Sequence, residues 1–389
     1  MERMPNPILG PNKLKLGLFS ANCDGGASLS TAPERWACEW DDVLKLSVMA
    51  DEAGIDFILP VAKWRGLGGD ADSWGRSFET LTHGAAIGVA TKRIGLFSTV
   101  HVPLVTPAFV AKAIATIDHV THGRAGLNIV CGWNQDEFSV HGVIIDPERR
   151  YDQGLEWFKI FTKLLEGGPL FDWDGEFYKL RGLTTNPLTV QRPRPPIMSA
   201  GFSPKGRDFA SQTADLLFTS VSNVQRAPAI VKSVNDFAAR YGRHIDVYTT
   251  CHIVCRSTRQ EAEDFYYYYA EEMADKKSIA YIVEQKMATV GADTTRTERP
   301  DTNPEANFRK GGGKIHPGVF PGYYILVGTP DDVAEEMIEM SKAGLAGASI
   351  CFVDFLQAMP YFIQEVLPRL ERAGLREPEH PSARRTAMA

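Results

Sequence analysis

The chain has 389 residues, 44% hydrophobic and 23% charged, which is enough apolar material for a large core and excludes a disordered polymer. A formal net charge of −6 argues against nucleic acid or an anionic membrane as the main partner and favours a small molecule. No run approaches the roughly 18 to 20 apolar residues that span a bilayer, and the opening MERMP lacks an apolar signal segment, so a cytoplasmic protein is expected.

In chain order, short β-branched runs alternate with longer amphipathic segments, the pattern of βαβ units. Strands are expected at 14–20, 55–61, 93–100, 124–133, 195–201, 216–222, 246–255 and 348–355. Helices are expected between them at 40–53, 77–90, 107–120, 151–166, 203 onward, 227–241, 259–290 and 329–342, with a last one at 361–373. Ser203-Pro204 and Thr329-Pro330-Asp331 are helix starts, a hydroxyl cap before a proline of fixed φ. FYKL at 177–180 suggests a small hairpin, 291–323 is an irregular, lid-like excursion, and 377–389 is a frayed tail. About eight βα units without a Rossmann-type break predict one (β/α)₈ barrel domain over 1–376, with its excursion at about 272–323.

Active sites of such barrels lie at the carboxyl ends of the strands. Those ends here carry amides, hydroxyls and aromatics, with neither the His-x-His of metal hydrolases nor the paired carboxylates of glycosidases. Six cysteines are too sparse for a disulfide scaffold, and Cys251-His252 with Cys255 sits on an extended run that sends alternate side chains to opposite faces, so no metal is expected. A flat hydrogen-bonding pocket suits a planar heterocyclic cofactor.

Particular residues carry two readings each. Ser203 is either a plain helix cap or part of a phosphate site, with Gly201 allowing close approach and Lys205 and Arg207 adding charge. Arg150-Tyr151 is a surface pair or a second phosphate clamp. Asn128, inside an apolar strand, is satisfied by backbone or by a ligand. Lys63 ends a strand and faces solvent or the site. Thr99 and His101 share one strand face, Thr99 as an ordinary strand former and His101 as a core histidine before it is a general acid or base.

The runs GRAGLNIVCGWNQDEF (123–138), ERRYDQGLEW (148–157), FDWDGEFYKL (171–180) and IMSAGFSPKGRDFA (197–210) resemble the luciferase-like (group C) flavin monooxygenases. The likeness is strongest to the branch holding pyrimidine, dimethyl sulfone and dibenzothiophene sulfone monooxygenases, and AKWRGLGG (62–69) and ATIDHVTHGR (115–124) also fit. The resemblance implies reduced FMN (FMNH2) delivered by a separate NAD(P)H:flavin reductase, O2 as oxidant, and a homodimer or homotetramer. It places Ala62 and Lys63 beside the isoalloxazine, Asn128 on the ring or ribityl chain, Glu137 in the same set, and Arg150, Tyr151 and Ser203 at the phosphate. Thr99 and Lys63 become candidates for polarising oxygen in a dry cavity, with His101 as a further catalytic hypothesis. Departures from the pyrimidine branch at 23–40 and 279–323 border the substrate, and aromatics at Trp36, Trp40, Trp64, Trp74 and Phe202 hint at an apolar or heteroaromatic one. Two other readings of the same barrel are hydride transfer with deazaflavin F420 and non-catalytic flavin binding.

Overall fold

The computed structural model describes residues 6–201, 203–221, 223–292 and 316–378. Eight parallel strands close into a barrel: β1 (Lys15–Phe19), β2 (Phe57–Leu59), β3 (Gly95–His101), β4 (Ala125–Val130), β7 (Ile197–Ala200), β8 (Leu216–Phe218), β9 (Asp246–Cys255) and β11 (Gly347–Cys351), the last pairing back onto β1. β5 (Phe171–Asp174) and β6 (Lys179–Leu183) form the separate antiparallel hairpin that FYKL signalled. Barrel strands are buried on both faces, as parallel strands wrapped by helices must be.

The period of two splits each strand between two cores. Phe57, Leu59, Phe97, Met198, Leu216 and Tyr248 fill the barrel interior. Leu16, Leu18, Ile58, Leu96, Leu127 and Ile350 face outward into the larger core beneath the helices. Two glycines make room inside: a Cβ on Gly17 would lie 2.1 Å from the Phe57 ring, and one on Gly347 2.1 Å from Tyr248. Because Phe97 points inward, so do Thr99 and His101 at the carboxyl end of the same strand.

The outer layer contains α1 (Trp40–Glu52), α2 (Thr80–Ala90), α3 (Pro107–Val120), α4 (Gln135–Ser139), α5 (Arg150–Glu166), α6 (Pro204–Thr213), α7 (Ala227–Ala239), α8 (Arg259–Tyr267), α9 (Lys276–Ala292), α10 (Pro330–Lys342), α11 (Phe355–Tyr361) and α12 (Leu367–Arg372). Several expectations need correction. The expected helix 259–290 is two helices separated by a π-helical turn at Tyr268–Glu272, and the last helix is likewise broken by one at Phe362–Val366. The final strand stops at Cys351, because Asp354 caps α11. A ninth parallel strand, β10 (Tyr324–Gly328), was not expected; it pairs with the outer half of β9, which overshoots the barrel. The fourth strand ends at Val130, and the chain turns into α4. Residues 293–315, Phe202 and most of the C-terminal tail lie outside the described residues, and with them much of the expected excursion.

The loop after β1 crosses the barrel mouth and is tied to the chain on either side of that gap: Leu29 N–H donates to Gly318 O (2.8 Å) and Thr31 N–H to Met273 O (2.7 Å). No helix among the described residues is long and apolar enough to cross a membrane.

Candidate active site

The chain leaves β2 through a turn bracketed by one amide. Asn22 accepts from Val61 N–H (2.8 Å) and donates to Val61 O (2.9 Å) and Phe78 O (3.0 Å), fixing the backbone that leads to Ala62 and Lys63. The Lys63 ammonium does not face solvent. It donates to Glu137 on α4, and the two side chains are only 6% and 5% exposed. The other Glu137 oxygen accepts from Trp64 N–H (2.6 Å) and Arg65 N–H (2.9 Å). Glu137 thus holds the loop that carries Lys63, and the Lys63 Nζ also lies 5.7 Å from the Trp74 ring centre.

Thr99 and Asn128 are register partners on β3 and β4, and both are buried. Thr99 Oγ1 donates to Pro60 O (2.6 Å) and accepts from Asn128 Nδ2 (3.1 Å). That spends the amide nitrogen and leaves Asn128 Oδ1 buried without a partner among the described residues. His101 Nδ1 is buried and unpartnered in the same way, with its ring edge-on to Phe138 at 5.1 Å. Burial, then the nearby Lys63 charge, pushes this imidazole down to about 4, and burial does the same to His83. Both depressed values lie below the ordinary 6.5, so these groups favour the folded chain above pH 6.5 and the advantage is lost as pH falls toward 4. Stability should therefore fall between pH 6.5 and 4 by roughly 1.4 kcal/mol per pH unit for each histidine. Urea unfolding of H83L and H101L should show a shallower decline, and an unchanged slope would remove those histidines as its cause.

Arg150 opens α5 and is buried; its Nη1 donates to Gly132 O (2.7 Å), while Nε has no partner among the described residues. Its guanidinium lies 5.0 Å from the Tyr151 ring. Ser203 caps α6 by accepting from Gly206 N–H (3.1 Å). Gly201 and Gly206 meet so closely that a Cβ on the first would sit 2.7 Å from Gly206 O, and one on the second 2.7 Å from the Tyr151 hydroxyl. This glycine-lined helix start, with a phenol at its edge, has the form of a phosphate cradle. Of the cations expected nearby, Lys205 pairs with Glu148 (2.6 Å) and Arg207 donates to Ser233 (3.2 Å).

These contacts join into one path. Lys63 binds Glu137, and the next residue, Phe138, touches His101 and lies where a Cβ on Gly132 would be, 2.6 Å from its ring. Gly132 carries Arg150, Tyr151 follows, and Tyr151 reaches Gly206 beside Ser203. The candidate residues therefore border one face of the barrel mouth. Asn22 and Phe138 were not anticipated; an amide three residues beyond the first strand was the available signal for Asn22. Elsewhere, Trp36 and Trp40 pack against Phe355 and Phe78, and His252 is hydrogen-bonded to Tyr269 (2.6 Å). Among the described residues no cluster of three His, Cys, Asp or Glu side chains is placed to hold a metal.

The barrel, with polar and aromatic side chains at the carboxyl ends of its strands, is the frame of an enzyme family that the comparisons identify. The luciferase-like monooxygenase family matches residues 14–347, and the chain belongs to that family: it is a flavin-dependent monooxygenase acting on small organic molecules. Pyrimidine monooxygenase RutA of Variovorax paradoxus (strain S110) is 27% identical over 368 residues, covering 92% of this chain and 95% of the relative. Among solved structures, long-chain alkane monooxygenase LadA superposes with a TM-score of 0.78 at 20% identity (97% of this chain, 96% of the other). Riboflavin lyase RcaE, solved with modified FMN and riboflavin, gives 0.75 at 20% (97% and 96%). An F420-dependent secondary alcohol dehydrogenase gives 0.66 at 18% (92% and 99%), so this barrel is shared with a deazaflavin enzyme.

Proposed function

We propose that the chain accepts FMNH2 from a separate NAD(P)H:flavin reductase and uses O2 to oxygenate a small organic substrate of the heterocyclic, amide or organosulfur kind. The observation that carries this is a set of buried, unused polar atoms, Asn128 Oδ1, His101 Nδ1 and Arg150 Nε, along one face of the barrel mouth. Leaving such atoms unsatisfied costs about 1–3 kcal/mol each unless a ligand completes them. Asn128 would hold the ring or ribityl chain beside Ala62 and Lys63, and Arg150, Tyr151, Ser203 and the α6 amides would hold the phosphate. Bound reduced flavin supplies the electrons that activate oxygen. The protein fixes that flavin's position, keeps water out and presents Thr99 and Lys63 to the reacting oxygen. The whole barrel with its insertions acts as one domain, in a cytoplasmic homodimer or homotetramer.

Anaerobic titration with FMNH2, followed by oxygen and monitored by flavin absorbance, tests the reading. Saturable one-to-one binding and oxygen uptake are expected. Tight binding of reduced F420 with no oxygen uptake would overturn it in favour of hydride transfer, the reading that the shared dehydrogenase barrel suggests. Ser203→Ala should weaken FMN binding about tenfold, the loss of one hydrogen bond to a charged group. Riboflavin, which lacks the phosphate, should bind both proteins equally, and equal weakening of the two flavins would show a helix-capping role alone.

A further inference from the structure

From Trp74, whose ring centre lies 5.7 Å from Lys63 Nζ, aromatic rings form a continuous wall. Trp74 stacks on Phe320 (4.3 Å) and Phe320 on Tyr323 (5.4 Å); Tyr323 meets Phe19 edge-on (5.9 Å), and Phe19 lies 5.2 Å from Phe218. Phe19 and Phe218 end β1 and β8, so the wall spans the mouth between them. The Trp74 indole N–H is spent on Gly26 O. The Tyr323 hydroxyl is not spent: it has no hydrogen-bond partner among the described residues, although its ring is held between Phe320 and Phe19.

This is an unusual use of tyrosine. The neighbouring wall positions Phe19, Phe218 and Phe320 carry no polar atom, so the hydroxyl of Tyr323 adds nothing to their packing. Tyr323 nonetheless keeps some accessible surface, while burial, and then the Cys351 and Cys23 thiols, push its phenol well above the usual range. The ring packs against the surrounding apolar clusters and keeps part of its surface accessible. The Cys23 thiol beside it also senses Lys63 and Glu137, which places that surface near the polar face. Lys63, the cation that Cys23 senses, is already paired with Glu137, so beside the apolar rings the Tyr323 hydroxyl stands as a neutral donor.

We propose that Tyr323 determines substrate specificity, its ring walling the substrate pocket and its hydroxyl donating to the carbonyl or sulfonyl oxygen of a flat, uncharged aromatic or heteroaromatic substrate. The inference rests on the flavin reading above, because a cofactor on the β3–β4 side leaves the aromatic side for substrate.

A matched pair of probes tests it: 1-indanone, a flat ketone, and indane, the same skeleton without the oxygen. Their binding is measured by calorimetry on the FMN-loaded protein and on FMN-loaded Y323F. The native protein should prefer the ketone by about 5- to 10-fold, one hydrogen bond's contribution. Y323F should lose that preference while binding indane and FMN as before, which also shows that it is folded. Equal native affinities, a preference that survives Y323F, or no binding of either probe would overturn the proposal. Failure of the flavin reading would show separately as absence of FMN binding to both proteins, and the same probes on the flavin-free chain would still read Tyr323.

Discussion

Replacing Glu137 with alanine is expected to lower stability by about 3–5 kcal/mol and to abolish flavin-dependent turnover. The carboxylate is nearly inaccessible and takes three donors: the Lys63 ammonium, Trp64 N–H and Arg65 N–H. Removing it strands a buried ammonium and frees two backbone amides, so the loop from Ala62 loses its anchor. E137Q keeps an acceptor for the amides but not the charge, and should fall between the two. The double variant K63M/E137L removes both charges at once; it should regain the part of the stability lost to the stranded ammonium, while the Trp64 and Arg65 amides stay unpaired. If K63M/E137L stays inactive with FMN still bound, Lys63 contributes chemistry beyond anchoring. A urea midpoint for E137A equal to the native one would sink the claim that the pair is desolvated.

How far this site could be read from sequence varies residue by residue. Continuous apolar runs bounded by turn residues located all eight barrel strands, and alternation put Thr99 and His101 on one face, because strand periodicity is a local property. β10 escaped because YILVG follows a stretch rich in glycine and proline and supplies its pairing edge only through the overshoot of β9. The attachment of Glu137 to Lys63 joins residues 74 apart, and no local pattern encodes such a contact. The contacts of Lys205 with Glu148 and of Arg207 with Ser233 join residues 57 and 26 apart, so no local pattern encodes them either. Tyr323 closes the 279–323 segment expected to border the substrate, yet nothing local singles it out within that segment; its unspent hydroxyl distinguishes it.

Thr99→Val should keep the fold yet cut substrate-dependent oxygen uptake about a hundredfold, within the range for loss of one preorganised polar group. Valine matches threonine in shape and favours strands, so packing within β3 survives. What disappears is a relay: Thr99 Oγ1 accepts from Asn128 Nδ2 (3.1 Å) and donates to Pro60 O (2.6 Å). That first bond decides which end of the Asn128 amide faces the open site, because the nitrogen is held and the oxygen is left free. Without it the amide can rotate by half a turn, presenting a donor where the proposed cofactor would meet an acceptor. FMN affinity should therefore fall by about tenfold, and T99S, which restores the hydroxyl, should recover both affinity and turnover. Titration of T99V with FMN, giving the native dissociation constant and native oxygen uptake, would show that the Asn128 orientation is set by something other than Thr99.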